Sequence, residues 1–252
     1  MCLAVVAIGV HPRYRLVVAA NRDEFHRRAT ATAQWWPEGW FGGRDLAAGG
    51  TWLGIARSGR WALLTNVREP SRHDPAAPSR GGWVPAFLRS DGAPSVALAD
   101  ACAAPGNGFN LLGGDAVTTA WASNRAAAPK TLGGGIHALS NALLDTPWPK
   151  VVRTRDALQR WCADPDTTLD GLLDLLDDRA EAADADLPAT GVPLAWERRL
   201  SAPFIVGADY GTRCSTAFTV DARQEIEFVE RSFAPDGRRS GEVRARFRMG
   251  DR

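Results

Sequence analysis

Two short apolar segments open the chain and predict a pair of buried strands. Residues 3–10 (LAVVAIGV) and 14–20 (YRLVVAA) are rich in valine and lack the alternation of apolar and polar positions that marks a sheet face open to water. Only residues 11–13 separate the two segments, so an antiparallel hairpin is the most economical connection. We therefore expect these strands to pair directly, with both faces of their sheet covered.

The short connection also predicts which residues face each other across this hairpin. If Val10 pairs with one of the first two residues of the second strand, Cys2 lies opposite Arg22 or Asp23. The second apolar segment ends in four consecutive polar residues at 21–24, with the sequence NRDE. The register thus brings a thiol and a polar cluster together at one end of the hairpin.

Further apolar patterns predict the remaining elements. Strands are expected over residues 52–57, 61–66, 109–113, 118–123, 136–140, 215–221, 225–233 and 241–249. Helices are expected over residues 82–90, 94–103 and 168–184, and from an N-cap at Asp145 or Thr146 to about Cys162. This order favours two antiparallel sheets packed together and covered by helices. A length of 252 residues suits a single domain spanning 1–252.

Charge and composition narrow the class of partner. Lys and Arg total 30 and Asp and Glu total 29, so the net charge of +1 gives no basis for binding nucleic acid. A small-molecule ligand or substrate is the expected partner, and no oligomeric state is predicted. No segment approaches the roughly 18 uninterrupted apolar residues of a membrane span, and the apolar start lacks the basic region and cleavage site of a secretory signal. We expect a cytoplasmic protein without an integral membrane segment.

The sequence carries no motif for a structural metal or a disulfide framework. The four cysteines have no CxxC spacing, and neither HExxH nor CxxCH occurs. We therefore expect no metal site. Any cysteine with a special role acts singly.

Cys2 is a candidate nucleophile because of its place in the chain. Removal of Met1 would make Cys2 the N-terminal residue, which carries a thiol and an α-amine in one place. With a reference pKa of about 7.7–8.0, the amine can accept the proton of a thiol whose pKa is near 8.5. The alternative is that Cys2, beside a buried strand, is a small and inert hydrophobic residue.

Such a nucleophile needs a cation near the thiol, a carboxylate near the amine and N–H donors for an oxyanion. Arg22 and Asp23 meet the first two needs from the predicted register. Asn66 and Asn141, each at the end of a strand pattern, can supply amide donors. The alternatives are that strand-end asparagines form turns and that the NRDE segment is a charged turn with a local salt bridge.

Six further residues are candidates for lining the same site: Asn21, Glu24, Arg44, Asp45, Trp52 and Arg213. Two of them follow Gly42 and Gly43, which predict a tight turn in a glycine-rich loop, and Arg213 lies in a second glycine-containing loop. Trp52 belongs to a dense group of tryptophans between residues 35 and 83. That group either forms core or lines a large apolar ligand site.

Six motifs occur in order from residue 1 to about 221: MC at the start, ANRDEFHRR, GGRDLAAGGTWLGI, LLTNVREP, LSNALLDTPWPKV and GTRCST. Together they resemble the NRDE family, also called the Transport and Golgi organisation 2 family. The resemblance implies a fold similar to that of the N-terminal nucleophile hydrolases. That fold is a four-layer αββα sandwich of the α+β class, with two antiparallel sheets.

Resemblance to the choloylglycine hydrolase and penicillin V acylase branch of that fold implies roles for individual residues. It implies a nucleophile, a neighbouring arginine, an aspartate near the amine, an oxyanion-hole asparagine and a second active-site asparagine at Cys2, Arg22, Asp23, Asn66 and Asn141. Glu24 is the alternative to the aspartate, because the spacing after the arginine differs from that branch. No arginine matches the branch's later catalytic arginine.

Two functions follow from the residues and the resemblance. The first is a cysteine N-terminal nucleophile hydrolase that acts on a linear amide (C–N) bond and requires no cofactor. The second is a non-catalytic protein that binds and transfers haem, acyl-coenzyme A or lipid, because the family has been linked to haem mobilisation and lipid metabolism. In that case Cys2 is a pocket residue or soft ligand, and haem is a bound ligand. A scaffold with neither activity is the third interpretation.

Overall fold

A computed structural model describes residues 2–250, and thirteen strands within this range form two antiparallel sheets. The first sheet contains, in spatial order, β10 (Gly135–Leu139), β1 (Cys2–Ile8), β2 (Tyr14–Phe25), β11 (Tyr210–Asp221), β12 (Glu225–Phe233) and β13 (Arg239–Arg248). The second contains β3 (Thr30–Trp35), β4 (Trp40–Asp45), β5 (Leu53–Ala56), β6 (Trp61–Asn66), β7 (Phe109–Gly114), β8 (Thr119–Ser123) and β9 (Lys130–Leu132). The helices are α1 (Trp83–Arg89), α2 (Pro94–Ala97), α3 (Ala99–Cys102), α4 (Pro149–Ala163), α5 (Leu169–Asp174) and α6 (Leu194–Leu200).

Three apolar clusters separate these elements into four layers. The central cluster joins the two sheets face to face, with Val6 and Phe218 from the first sheet against Trp61 from the second. A second cluster packs α4 and α5 on the outer face of the first sheet. A third packs the α1–α3 segment on the outer face of the second. The predicted αββα sandwich of two antiparallel sheets is therefore confirmed.

The first hairpin has the register expected from its short connection. Cys2 pairs with Arg22, and the pairing continues without interruption to Ile8 and Leu16. The strand β2 is longer than predicted, because it extends through the NRDE segment to Phe25. That segment is therefore not a charged turn. It stays extended because β11 continues beside it and supplies the second set of backbone partners.

Strand periodicity divides the polar residues of β2 between two faces. Ala4 of β1 packs in the core between the sheets, so Cys2 and its partner Arg22 project toward that side. Ala19 packs in the cluster beneath the helices, so Asn21 and Asp23 project toward the helical layer. The NRDE segment thus contributes side chains both to the space between the sheets and to the helical layer.

A buried glutamate joins the two sheets away from the first hairpin. The Glu230 carboxylate on β12 accepts hydrogen bonds from the Ala33 backbone N–H on β3, at 2.7 Å, and from the Thr216 hydroxyl, at 3.0 Å. Burial raises the pKa of Glu230 above its ordinary value. The polar contact with Ala33 lies at the irregular pairing of β3 with β4 and bridges the two sheets.

Several predicted elements differ from the structure. The strands β3, β4 and β9 and the helix α6 were not predicted, and Gly42 and Gly43 lie inside β4 rather than in a turn. The helix predicted over 94–103 is divided into two short helices. The helix predicted over 168–184 ends at Asp174 as α5.

Tertiary hydrogen bonds explain two of these differences. The Leu176 carbonyl accepts a hydrogen bond from the Asn21 side chain, so the chain leaves the helix after α5. Neither Asp145 nor Thr146 is the N-cap of α4, which is Trp148. The Asp145 carboxylate instead accepts from the Ala138 backbone N–H and pairs with His137. The helix begins instead at Pro149, whose missing N–H suits the first helical position.

Asn21 connects the first sheet to the layer above it. Its Nδ2 donates to the carbonyls of Leu176 and Pro203, each at 2.9 Å, and its Oδ1 accepts from the Ser215 hydroxyl at 2.5 Å. The residue is 1% exposed, so water cannot replace these partners. Asn21 is therefore a structural residue in a polar interior.

We predict that Asn21→Ala lowers the free energy of unfolding by about 2–4 kcal/mol, because two carbonyls and one hydroxyl lose their buried partner. Urea denaturation measures this change. Gln159→Ala, on the exposed side of α4, is the control and should change the same quantity by less than about 0.5 kcal/mol. Equal effects of the two substitutions would contradict the structural role of Asn21.

Candidate active site

A cleft of about 400 Å³ opens at the end of the sandwich where β1 begins. Its walls come from both sheets and from the segment after β6. The predicted site residues that line it are Cys2, Arg22, Asp23, Glu24, Asp45, Trp52 and Asn66. Residues 73–75 and 77–81 form the facing wall. The hairpin register and the sheet stacking together place the thiol in a cavity of ligand size.

Cys2 lies half-buried at the inner end of this cleft. Burial raises the pKa of the Cys2 thiol above its ordinary value, and the nearby Asp23 carboxylate raises it further. The Arg22 guanidinium opposes both effects. The thiol is therefore protonated at rest and needs a base to become a nucleophile.

Arg22 is held on three sides within the cleft. Its Nη1 donates to the Thr30 hydroxyl at 3.1 Å, and its Nη2 lies 3.5 Å from the Asp45 carboxylate. The guanidinium stacks on the Trp52 ring, with its central carbon 4.4 Å from the ring centroid. Arg28 binds the same Asp45 carboxylate at 2.6 Å. The cation next to Cys2 is therefore fixed in position.

Gly43 makes room for this stack. A Cβ atom added at Gly43 would lie 2.2 Å from the Trp52 ring, far inside van der Waals contact. The absence of a side chain in the middle of β4 therefore lets Trp52 lie against Arg22. The turn predicted at Gly42 and Gly43 is wrong, because both residues lie within β4. Their lack of side chains allows neighbouring groups to pack closely against this strand.

Asp23 borders the cleft, and its side chain projects to the helical side of β2. Its Oδ1 accepts from the Thr212 hydroxyl at 2.7 Å. Burial raises the pKa of Asp23, and the positive charge of Lys150 on α4 is the largest opposing influence from a side chain. The aspartate is thus part of a buried polar group next to the start of β1.

Lys150 was missed in the sequence. It is 1% exposed, and its Nζ lies 3.5 Å from the Asn141 Oδ1. Burial lowers the pKa of Lys150 to about 8, while the charge of Asp23 opposes that decrease. The signal available in the sequence was helical spacing, because Lys150 shares one face of α4 with the buried Thr154 and Leu158.

The two asparagines lie side by side, and only one borders the cleft. Asn66 lines the cavity at the end of β6. The Nδ2 of Asn141 donates to the Asn66 backbone carbonyl at 2.9 Å, and the Asn141 carbonyl accepts from the Arg68 N–H at 2.7 Å. Asn141 is buried outside the cavity wall and fixes the backbone at Asn66.

Three of the predicted lining residues lie outside the cleft wall. Asn21 faces the helical layer, as described above. Arg44 is in β4 rather than in a loop, with its guanidinium 4.5 Å from the Trp36 ring centroid. Arg213 is likewise in a strand, β11, and its Nη1 donates to the carbonyls of Phe25 and Arg28. The two arginines were assigned to loops because the strand patterns around them are short or interrupted by glycine.

Sequence reasoning also missed Arg28 and Arg80, two arginines of the cleft wall. Both lie in polar segments without apolar periodicity, so no local pattern distinguishes them from surface residues. Within residues 2–250, no cluster of three or more His, Cys, Asp or Glu side chains offers ligands to a metal ion. None of the helices described here has the length and apolar character to cross a membrane.

Two antiparallel sheets enclosed by helices, with a cysteine at the start of the first strand, define a protein of the N-terminal nucleophile hydrolase-like fold. The sequence model of Transport and Golgi organisation 2 matches residues 1–235, so the chain belongs to that family. The mouse Transport and Golgi organization 2 homolog is 36% identical over 241 residues, which cover 87% of each chain. The human homolog is 35% identical over the same length, and the Drosophila melanogaster protein is 29% identical over 262 residues, 91% of each chain.

We predict that Gly43→Ala destabilises the protein by about 1–3 kcal/mol, because the added methyl group displaces the Trp52 ring from Arg22. The free energy of unfolding in urea measures the effect. Gly82→Ala is the matched control, since no atom lies within 4 Å of the added Cβ there. A loss no greater than that of the control would show that Trp52 can relax without cost.

We predict a pH-dependent difference in stability between the wild type and Lys150→Met. Unfolded lysine keeps its proton up to a pKa near 10.5, whereas folded Lys150 releases it at about 8. The unfolded state therefore binds more protons between these values, and wild-type stability should rise relative to the variant by up to about 3 kcal/mol.

Urea denaturation at pH values from 8 to 10 measures this difference. Lys130→Met, at an exposed lysine, is the control and should show no such trend. A difference between wild type and Lys150→Met that stays constant with pH would contradict a buried, depressed lysine.

Proposed function

We propose that this protein is a cysteine N-terminal nucleophile hydrolase that cleaves a linear amide bond. The observation that carries the proposal is the pairing of Cys2 with Arg22 at the inner end of a cleft that Asn66 also lines. Family membership supports the proposal only through the resemblance of that family to the N-terminal nucleophile hydrolases. The buried Asp23 adds a carboxylate next to the start of β1.

The proposed reaction uses the α-amine of Cys2 as its base. The thiol gives its proton to this amine while sulfur attacks the carbonyl carbon of the amide. The Asn66 amide donates to the resulting oxyanion, which then collapses with cleavage of the C–N bond. The proton passes from the ammonium group to the leaving amine, and a thioester remains on Cys2. Water, deprotonated by the same amine, hydrolyses the thioester and restores the thiol.

This chemistry requires the removal of Met1, a residue outside the range that the structure describes. The raised pKa of the Cys2 thiol is compatible with the reaction, because the proton leaves sulfur only as the amine accepts it. Arg22 then stabilises the negative charge that develops on sulfur. Asn141 has an indirect role, since it holds the backbone of Asn66.

We predict that a covalent acyl-enzyme forms on Cys2. A panel of N-acyl p-nitroanilides with different acyl chains supplies the test, and mass spectrometry of the quenched reaction detects the added acyl group. Cys2→Ala should abolish this adduct and lower kcat/KM by about 10³-fold or more. Cys102→Ser, at a half-buried cysteine of α3, should leave both unchanged. Equal hydrolysis by wild type and Cys2→Ala would contradict the proposal.

A second candidate function is the binding and transfer of haem or acyl-coenzyme A, with Cys2 as a wall residue or soft ligand. The specific observation in its favour is the apolar part of the cleft lining, which includes Trp52, Leu64, Pro75 and Pro78. Of the tryptophans grouped between residues 35 and 83, Trp52 alone lines the cleft in the described structure. Titration with hemin and with long-chain acyl-coenzyme A tests this function, and the absence of saturable binding to either would contradict it.

A further inference from the structure

The cleft wall opposite Cys2 carries an arginine that the proposed mechanism does not use. Arg80 is half-buried, and its Nη1 donates to the Gly108 carbonyl at 3.2 Å. Among residues 2–250, no carboxylate lies within ion-pair distance of this guanidinium. A guanidinium has five N–H donors in a planar fork, so most of its hydrogen-bonding capacity is available.

The other arginines of the cleft differ in this respect. Arg22 and Arg28 share the Asp45 carboxylate, at 3.5 and 2.6 Å, and Arg28 also lies 3.9 Å from Glu24. Their charges are therefore largely balanced within the protein. Arg80 is the cleft arginine without a carboxylate partner among the described residues.

The backbone that carries Arg80 is closely packed. The Thr51 N–H donates to the Gly81 carbonyl at 3.2 Å, and a Cβ atom added at Gly50 would lie 2.4 Å from that same oxygen. The Ser79 hydroxyl accepts from the Gly81 N–H at 3.3 Å. These contacts join the segment of Arg80 to the loop before β5, so its backbone is held in place, and the hydrogen bond to Gly108 holds the guanidinium.

The electrostatic surroundings indicate what this arginine binds. Burial lowers the pKa of Arg80, although the guanidinium stays charged, and the negative charge of Glu24 is the main influence that opposes the decrease. A partly desolvated guanidinium without a carboxylate partner favours a carboxylate or phosphate oxygen pair. Cys2 and Arg80 line the same cleft, so an anion bound by Arg80 lies in the cavity that holds the reacting sulfur.

We propose that Arg80 is a specificity-determining residue that binds a carboxylate or phosphate group on the molecule whose amide is cleaved at Cys2. The substrate class is thus an amide with an anionic group near the scissile bond. The inference that the bound molecule is a substrate rests on the proposed hydrolase function. The anion subsite itself is independent of catalysis.

The first experiment tests the subsite without hydrolysis. Iodoacetate and iodoacetamide alkylate thiols and differ by one negative charge, so the ratio of their rates at Cys2 reports the local potential. Peptide mass spectrometry distinguishes Cys2 from the other three cysteines. The iodoacetate-to-iodoacetamide ratio should fall about 3- to 10-fold in Arg80→Gln and recover in Arg80→Lys.

Arg72→Gln is the matched control, because Arg72 is an exposed arginine of the same segment that pairs with Glu69 outside the cleft. Its ratio should equal that of the wild type. Circular dichroism and urea denaturation establish that each variant is folded. An unchanged ratio in folded Arg80→Gln would overturn the proposal.

Competition identifies the anionic group. Glutarate and inorganic phosphate should each slow the alkylation of Cys2 by iodoacetamide in the wild type and lose this effect in Arg80→Gln. The competitor that protects at the lower concentration distinguishes a carboxylate subsite from a phosphate subsite. Protection by neither compound, or equal protection in wild type and variant, would overturn the proposal.

The second experiment uses turnover. Matched p-nitroanilides whose acyl chains end in a carboxylate, a phosphate or a methyl group separate charge from chain length. The ratio of kcat/KM for the anionic and the neutral substrates should fall about 10- to 100-fold in Arg80→Gln. An equal loss for both substrates would indicate a structural role and contradict specificity. If wild type cleaves none of them, the hydrolase function fails, while the alkylation ratio still decides the anion subsite.

Discussion

The antiparallel pairing of Cys2 with Arg22 is the constraint on which the candidate site depends. The short connection of the first hairpin, residues 9–13, fixes this register, and a shift by one residue would turn every side chain of β1 to the opposite face. With the observed register, the thiol and the guanidinium project into the same cleft between the sheets. The rest of the cleft is built around this pair, through Asp45, Trp52 and the glycine that accommodates the indole.

A polar interior maintains that register at the open end of the sandwich. Strand ends usually fray, yet here Asn21 is tied to the helical layer and Asp23 to Thr212. Lys150 lies behind them as a buried cation, near both the aspartate and Asn141. Buried polar groups are costly unless they are satisfied, so this network confines the chain to one arrangement. These hydrogen bonds hold the end of β2, which carries Arg22 of the candidate site.

Local pattern in the sequence predicted those parts of the fold that depend on neighbouring residues. The hairpin register followed from a short connection, and the layered architecture followed from the order of apolar segments and from the family resemblance. Strands β3 and β4 were not predicted, because glycine and polar residues interrupt their apolar pattern and their stability comes from the partner strands. The early end of α5 depends on a hydrogen bond from Asn21, which is distant in sequence. Arg80 was missed because its surroundings come from residues distant in sequence, such as Gly108. Lys150 was missed although its helical spacing places it on the buried face of α4.

The central claim is that Cys2 acts as a free N-terminal nucleophile. Intact-mass analysis of the natively expressed protein, on the same preparation that cleaves an amide, tests it most directly. If Cys2 is the free nucleophile, the active molecules have a mass lower by one methionine residue, with Cys2 at the N-terminus. An active protein that retains Met1 would contradict it, because the amine that accepts the thiol proton would then be part of a peptide bond.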